Sequence, residues 1–152
     1  MKIKLQLNGK AIEETIDDGK LLLDFLREHG CYSVKRGCET SNCGLCSVIV
    51  DDKPVLSCST LAARVDGKSV YTLEGLQAEA EEFGALLADE GAEQCGFCSP
   101  GIVMSVLAMS RELKNPTDKE VKLYLAGNLC RCTGYMGQQR AISNYLTLKG
   151  EK

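Results

Sequence analysis

The chain of 152 residues contains one histidine, His29. No Ser/His/Asp or Cys/His catalytic set assembles around that single imidazole. Basic charge is also short: 18 Lys and Arg stand against 21 Asp and Glu, for a net charge of −3. No basic stripe is available for phosphate backbones, which argues against nucleic acid, and none for anionic lipid. No run approaches the roughly 20 apolar residues of a membrane span. The N-terminus alternates, Met1-Lys2-Ile3-Lys4-Leu5-Gln6, and lacks the unbroken apolar core of a secretory signal, so a cytoplasmic location is expected. Glycine-rich phosphate loops of the Rossmann or P-loop kind are missing, as are internal repeats and low-complexity tracts.

Cysteine, by contrast, is abundant, with nine in the chain. The odd number and the missing export signal disfavour a disulfide framework. In a reducing compartment, closely spaced thiolates more often bind metal. Hydrophobic residues make up 44% of the chain, enough for one or two small packed domains.

Two periodicities divide the sequence. Ile3, Leu5 and Leu7 alternate with polar residues, as in a half-buried strand. Asn8-Gly9 predicts a hairpin turn, with a second strand through Ile12 to Ile16. Leu21 to Glu28 reads as a short helix stopped by Gly30. Residues 31 to 46 show no period and read as a loop. Ser47 to Val50 predicts a strand, Asp51-Asp52-Lys53-Pro54 a turn, Val55-Leu56-Ser57 a returning strand, and Ser69 to Leu73 the last strand. From Glu74-Gly75 onward the period becomes 3.6. Leu76, Ala80, Phe83 and Leu87 share one helix face. Ser99-Pro100 opens a second helix, with Ser99 at the cap, Pro100 at the first helical position, and Ile102, Val106, Met109 and Leu113 on one stripe. Thr117 and Glu120 form a capping box for a third, ending at Gly127. A fourth runs from about Tyr135 to Leu146. The domains are therefore 1–74 and 75–152.

The cysteines fall into two sets. Cys38, Cys43 and Cys46 stand as C-x4-C-x2-C, and Cys58 follows twelve residues later. This spacing matches that of plant-type [2Fe–2S] sites, in which each iron takes two Cys sulfurs and two sulfides. Gly37 and Gly44 would let amides turn toward the sulfurs. A zinc site is the competing reading, although only Cys43 and Cys46 form the C-x2-C knuckle zinc prefers. In the second set, Cys95 and Cys98 form C-x2-C, and Cys130 and Cys132 form C-x-C. Taken alone, this set suits a second [2Fe–2S] cluster or zinc. Cys98 precedes the Ser99-Pro100 helix start and Cys132 precedes the last helix, so both pairs sit near helix N-termini. These ends favour an anion such as a tetrathiolate cluster of about −2 charge. No C-x2-C-x2-C-x3-C-P run exists, which disfavours a succinate dehydrogenase-type iron protein.

Three motifs together resemble the xanthine dehydrogenase family, the molybdenum hydroxylases. They are Gly37-Cys38-Glu39-Thr40-Ser41-Asn42-Cys43-Gly44-Leu45-Cys46, Cys95-Gly96-Phe97-Cys98-Ser99-Pro100-Gly101, and Gly127-Asn128-Leu129-Cys130-Arg131-Cys132-Thr133-Gly134-Tyr135. The resemblance implies an α+β chain: an N-terminal β-grasp plant-type ferredoxin domain followed by an all-α four-helix domain. It implies two [2Fe–2S] clusters, the first on Cys38, Cys43, Cys46 and Cys58 and the second on Cys95, Cys98, Cys130 and Cys132. It further implies a large subunit that binds molybdopterin, a medium subunit that binds FAD, and a dimer of heterotrimers. The second-domain cluster would face the molybdopterin, with Gln94 and Cys132 near the pterin edge, and the first would face the flavin. Ser41 and Asn42 replace glycines common in the family, and Thr40-Ser41 is closer to carbon monoxide dehydrogenase-type small subunits. Leu45 and Gln138 also depart from the common pattern. None of these is a ligand position, but they leave the branch and the substrate open.

The chain itself would then transfer electrons and carry no catalytic residue. The competing classes are a stand-alone two-cluster ferredoxin, which leaves the helical half without a purpose, and a zinc-stabilised interaction module. Cys31 fits neither spacing and reads as a partly buried free thiol. His29 reads as a helix C-terminal cation. It cannot by itself supply a mixed Cys/His cluster, which needs two histidines. Glu79, Glu81 and Glu82 read as a solvated helix face, and Arg131 as a surface residue or a cluster-tuning one.

Overall fold

A computed structural model describes residues 1–150. The alternating N-terminus forms β1 (Lys2–Leu7), with Ile3, Leu5 and Leu7 buried and the intervening residues exposed. Asn8 (φ 51°) and Gly9 (φ 78°) are both left-handed, the two-residue turn whose twist matches its flanking strands. β2 (Lys10–Thr15) returns antiparallel, with Lys10 opposite Leu7. It starts earlier than the apolar pattern suggests, because its outer face is solvated and needs no apolar residue. α1 (Leu22–Glu28) ends as expected at Gly30. The Gly30 amide donates to the Arg27 carbonyl and the Cys31 amide to that of Leu26, closing the last turn.

β3 (Ser47–Val50) and β4 (Lys53–Leu56) form a second hairpin, turned by Asp51 (φ 46°) and Asp52 (φ 64°). The expected four-residue turn is thus two residues long, and Pro54 pairs with Ile49 inside β4. Proline is tolerated there because β4 is an edge strand. β5 (Ser69–Tyr71) lies parallel to β1 and antiparallel to β3, giving the order β2-β1-β5-β3-β4. It is shorter than the expected Ser69 to Leu73, since Leu73–Gly75 turns into a 3-10 helix.

Four further helices follow: α2 (Gln77–Asp89), α3 (Ser99–Glu112), α4 (Asp118–Tyr124) and α5 (Met136–Leu148). The Thr117–Glu120 capping box opens α4 as expected, but the helix stops at Tyr124, three residues short of Gly127. α5 begins one residue past Tyr135, which is left-handed at φ 70°. α3 departs from its single stripe: every residue from Gly101 to Met109 is buried. A helix apolar all round is one packed on several sides. Here the sheet strands β3 and β4 lie on one side and α2 on another.

Two apolar cores share β3. Val48 and Val50 join β1, α1 and Val70 in one, while Ile49 joins the helices in the other. That sharing explains why Ser47 through Val50 are all buried. No helix among the described residues is long and apolar enough to cross a membrane.

Two candidate metal centres

All nine cysteines are free thiols. The first set gathers where the irregular 31–46 loop meets the 3-10 turn Ser57–Ser59, which carries Cys58. Within it the thiols hydrogen-bond two by two, Cys38 with Cys43 and Cys46 with Cys58. Amides of Thr40, Asn42 and Cys43 point at the Cys38 sulfur and lower its pKa to about 6. Burial pushes Cys46 up to about 11, although the Cys58 amide donates to it. Burial also raises Cys43, against amide hydrogen bonds from Leu45 and Gly37. The expected role of Gly37 and Gly44 is therefore visible. Gly37 donates directly, and Gly44, left-handed at φ 72°, aims the next amide at Cys43. The Ser41 hydroxyl lies 3.7 Å from Cys58 Sγ.

The second set joins the turn before α3 to the turn before α5. Cys95 and Cys132 are exposed, with their sulfurs 3.5 Å apart, and Cys98 pairs with Cys130. The Phe97 amide holds Cys95 below its ordinary value, and the neighbouring Cys95 thiol pushes Cys132 up. Burial takes Cys98 to about 11. Cys130 is also pushed up by burial, but the Thr133 hydroxyl and the amides of Cys132 and Thr133 outweigh this and bring it to about 7. Thr133 Oγ1 donates to Cys130 Sγ at 3.2 Å, and the Cys130 amide donates to Tyr135 Oη at 2.9 Å. Cys98 rather than Ser99 is the N-cap of α3, so the helix starts one residue earlier than expected, with Ser99 and Pro100 as its first two residues and no side-chain cap. Cys132 stands four residues ahead of Met136, so its link to the α5 N-terminus runs through Thr133 and Tyr135 rather than a direct cap.

The two sets meet. The Leu129 amide donates to the Cys43 carbonyl at 2.9 Å. The buried Asn128 side chain donates to the carbonyls of Gly101 at 3.2 Å and Gly44 at 3.4 Å. A Cβ on Gly44 would come within 2.5 Å of the Gly127 carbonyl oxygen. Sequence alone points to no role for Asn128, Leu129, Thr133 or Tyr135. Their only signal there is proximity to Cys130, because their partners lie across the fold.

The other candidates separate from the sulfurs. Cys31 is buried, with the Asn8 amide nitrogen 3.8 Å from its sulfur. His29 caps α1, with Nδ1 2.8 Å from the Phe25 carbonyl and Nε2 3.0 Å from Glu14. Two of the three acidic residues expected to be solvated make ion pairs between helices, Glu79 with Arg111 and Glu82 with Lys149. Helix docking brings those cations to the α2 surface. Gln94 and Arg131 are exposed next to Cys95, Cys130 and Cys132 in the chain.

Among the described residues, no three Cys, His, Asp or Glu side chains converge on a point fit for one ion. Sulfurs arranged two by two suit a pair of metals bridged by other atoms, each metal held by one pair. That donor set fits a [2Fe–2S] unit better than a tetrahedral zinc.

Comparison with known proteins agrees in both halves. Residues 5–76 match a 2Fe-2S iron-sulfur cluster binding domain, and residues 72–143 match a [2Fe-2S] binding domain. The chain is therefore a two-domain iron–sulfur protein. It is 40% identical over 143 residues to the nicotinate dehydrogenase small FeS subunit of Eubacterium barkeri, spanning 92% of this chain and 91% of that one. It is 43% identical over 141 residues to the xanthine dehydrogenase iron-sulfur-binding subunit of Escherichia coli O157:H7, spanning 88% and 86%. Among solved structures, quinoline 2-oxidoreductase from Pseudomonas putida 86 superposes with a TM-score of 0.87 at 35% identity, covering 100% of this chain and 98% of that one. Aldehyde oxidoreductase from Desulfovibrio gigas gives 0.88 at 34% identity, this chain corresponding to 18% of its length. The chain belongs to the xanthine dehydrogenase family as an electron-transfer iron–sulfur subunit of an oxidoreductase complex.

Proposed function

We propose that Cys38, Cys43, Cys46 and Cys58 hold one [2Fe–2S] cluster, that Cys95, Cys98, Cys130 and Cys132 hold a second, and that the chain relays single electrons between partner subunits. The observation that carries this is the two-by-two pairing of thiols within each set. When bound, such clusters accept and release one electron at a time. The protein's part is to fix their spacing and tune their sulfurs. The amides on Cys38 and Cys43 and the Thr133 hydroxyl on Cys130 stabilise negative charge there. The Leu129–Cys43 hydrogen bond joins a ligand of one set to the residue beside a ligand of the other.

The proposed partners are a molybdopterin-binding large subunit and an FAD-binding medium subunit, in a cytoplasmic dimer of heterotrimers. Exposure of Cys95 and Cys132 next to Gln94 supports the second cluster as the molybdopterin-facing one, with Gln94 and Cys132 at the pterin edge. The first cluster then faces the flavin. The turn at Leu73–Gly75, between the last strand and the helices, supports domains of 1–74 and 75–152. Choice of substrate belongs to the large subunit.

The test is Cys132→Ser in the assembled complex. Iron should fall from about four to about two per chain, and the second cluster's paramagnetic signal on reduction should vanish while the first remains. Loss of both signals in a folded protein would overturn the assignment of ligands.

A further inference from the structure

We propose that Ser41 is a positioning residue that raises the reduction potential of the first cluster by donating a hydrogen bond to Cys58 Sγ. This rests on the ligand assignment proposed above. Ser41 occupies the left-handed region at φ 57°, a conformation L side chains seldom adopt and glycine adopts freely. The backbone has a reason to turn there. The flanking amides of Thr40 and Asn42 both converge on Cys38. Glycine at position 41 would allow the same turn without strain, so the backbone alone does not call for a serine.

What the serine adds is its hydroxyl, 3.7 Å from Cys58 Sγ and within hydrogen-bond range for sulfur. In the free thiol either group could donate. Once Cys58 is a thiolate on iron it has no proton, and only Ser41 can donate. Cys38 and Cys58 belong to different sulfur pairs. The residue at 41 thus serves both: its neighbours' amides one pair, its side chain the other. A donor on a ligand sulfur favours the state with more negative charge, which is the reduced cluster.

Ser41→Gly and Ser41→Ala should each be prepared in the intact complex and titrated potentiometrically, with both clusters followed by paramagnetic resonance. Both variants remove the hydroxyl, but only glycine relieves the backbone. We expect the first cluster's reduction equilibrium to weaken about tenfold in both, a negative shift of about 59 mV for a one-electron couple. The second cluster should not move. Thermal stability should divide the variants, with Ser41→Gly at least as stable as the parent and Ser41→Ala no more so. Two intact signals with an unmoved first potential would overturn the role of Ser41 while leaving the ligand assignment standing. Absence of the first cluster's signal in the parent complex would overturn both the role of Ser41 and the assignment of its ligands.

Discussion

At Gly44 a single hydrogen atom in place of a side chain holds two parts of the molecule together. Its φ of 72° is strained for any L residue, and its Cα faces the Gly127 carbonyl oxygen and the Asn128 amide. Gly44→Ala should therefore lose about 2 kcal/mol or more in thermal or urea denaturation of the iron-loaded protein. A loss below about 0.5 kcal/mol would show that the close approach does not constrain the loop. Gly84 is the opposite case. It lies inside α2 with nothing within 4 Å of an added Cβ, so Gly84→Ala should stabilise by up to about 1 kcal/mol in the same assay. The sequence sets Gly44 apart by its place beside Cys43, but the close approach of Gly127 and Asn128 appears only in the fold. The ligand cysteines are different in kind. Their spacing announces them, because one loop must present several sulfurs within reach of one cluster.

Among the elements, the segment joining β5 to α2 is held by a polar network. Glu74 accepts the Ser33 amide at 2.8 Å, the Ser33 hydroxyl at 2.7 Å and the Thr72 hydroxyl at 2.6 Å. Asn8 in the first hairpin turn exchanges two hydrogen bonds with Thr72, at 2.9 and 2.8 Å. Burial pushes the Glu74 carboxyl up, but the Thr72 and Ser33 donors outweigh it and hold it below the ordinary 4.5. A depressed carboxyl contributes stability that is complete above its unfolded pKa and is lost as pH falls through the lower folded value. Glu74→Gln should thus be less stable at neutral pH by about 1–2 kcal/mol, and the gap to the parent should close as pH falls below the ordinary 4.5 and through the lower folded value. Urea midpoints across that range would check it; a gap that stays constant would assign the loss to packing instead. The elements of this region were readable in advance from Asn8-Gly9 and from the change of period near Gly75. The network was not, because Asn8, Ser33 and Glu74 are far apart in the chain and share no spacing rule.

For the whole molecule, β3 sets how far the two halves act as one. Val48 and Val50 point into one core and Ile49 into the other, while α3 packs on β3 and β4. The iron-loaded protein should unfold in one calorimetric transition, and Ile49→Ala should lower it as a unit by about 2–4 kcal/mol. Two resolved transitions in the parent would mean that the halves unfold independently. Short-range patterns fixed much of this in advance: alternation places β1, Asn8-Gly9 places the first hairpin turn, Thr117 and Glu120 cap α4, and two cysteine spacings mark the donor sets, whereas the second hairpin turn proved two residues shorter than its pattern suggests. Each depends on residues a few positions apart, where backbone geometry is local and the same in any fold. The pairing of Cys46 with Cys58 and of Cys95 with Cys132, the burial of α3 on every side, and the contact of Leu129 with Cys43 arise differently. They depend on which surfaces meet once the chain closes, and that choice is made by the packing of β3 against two cores at once.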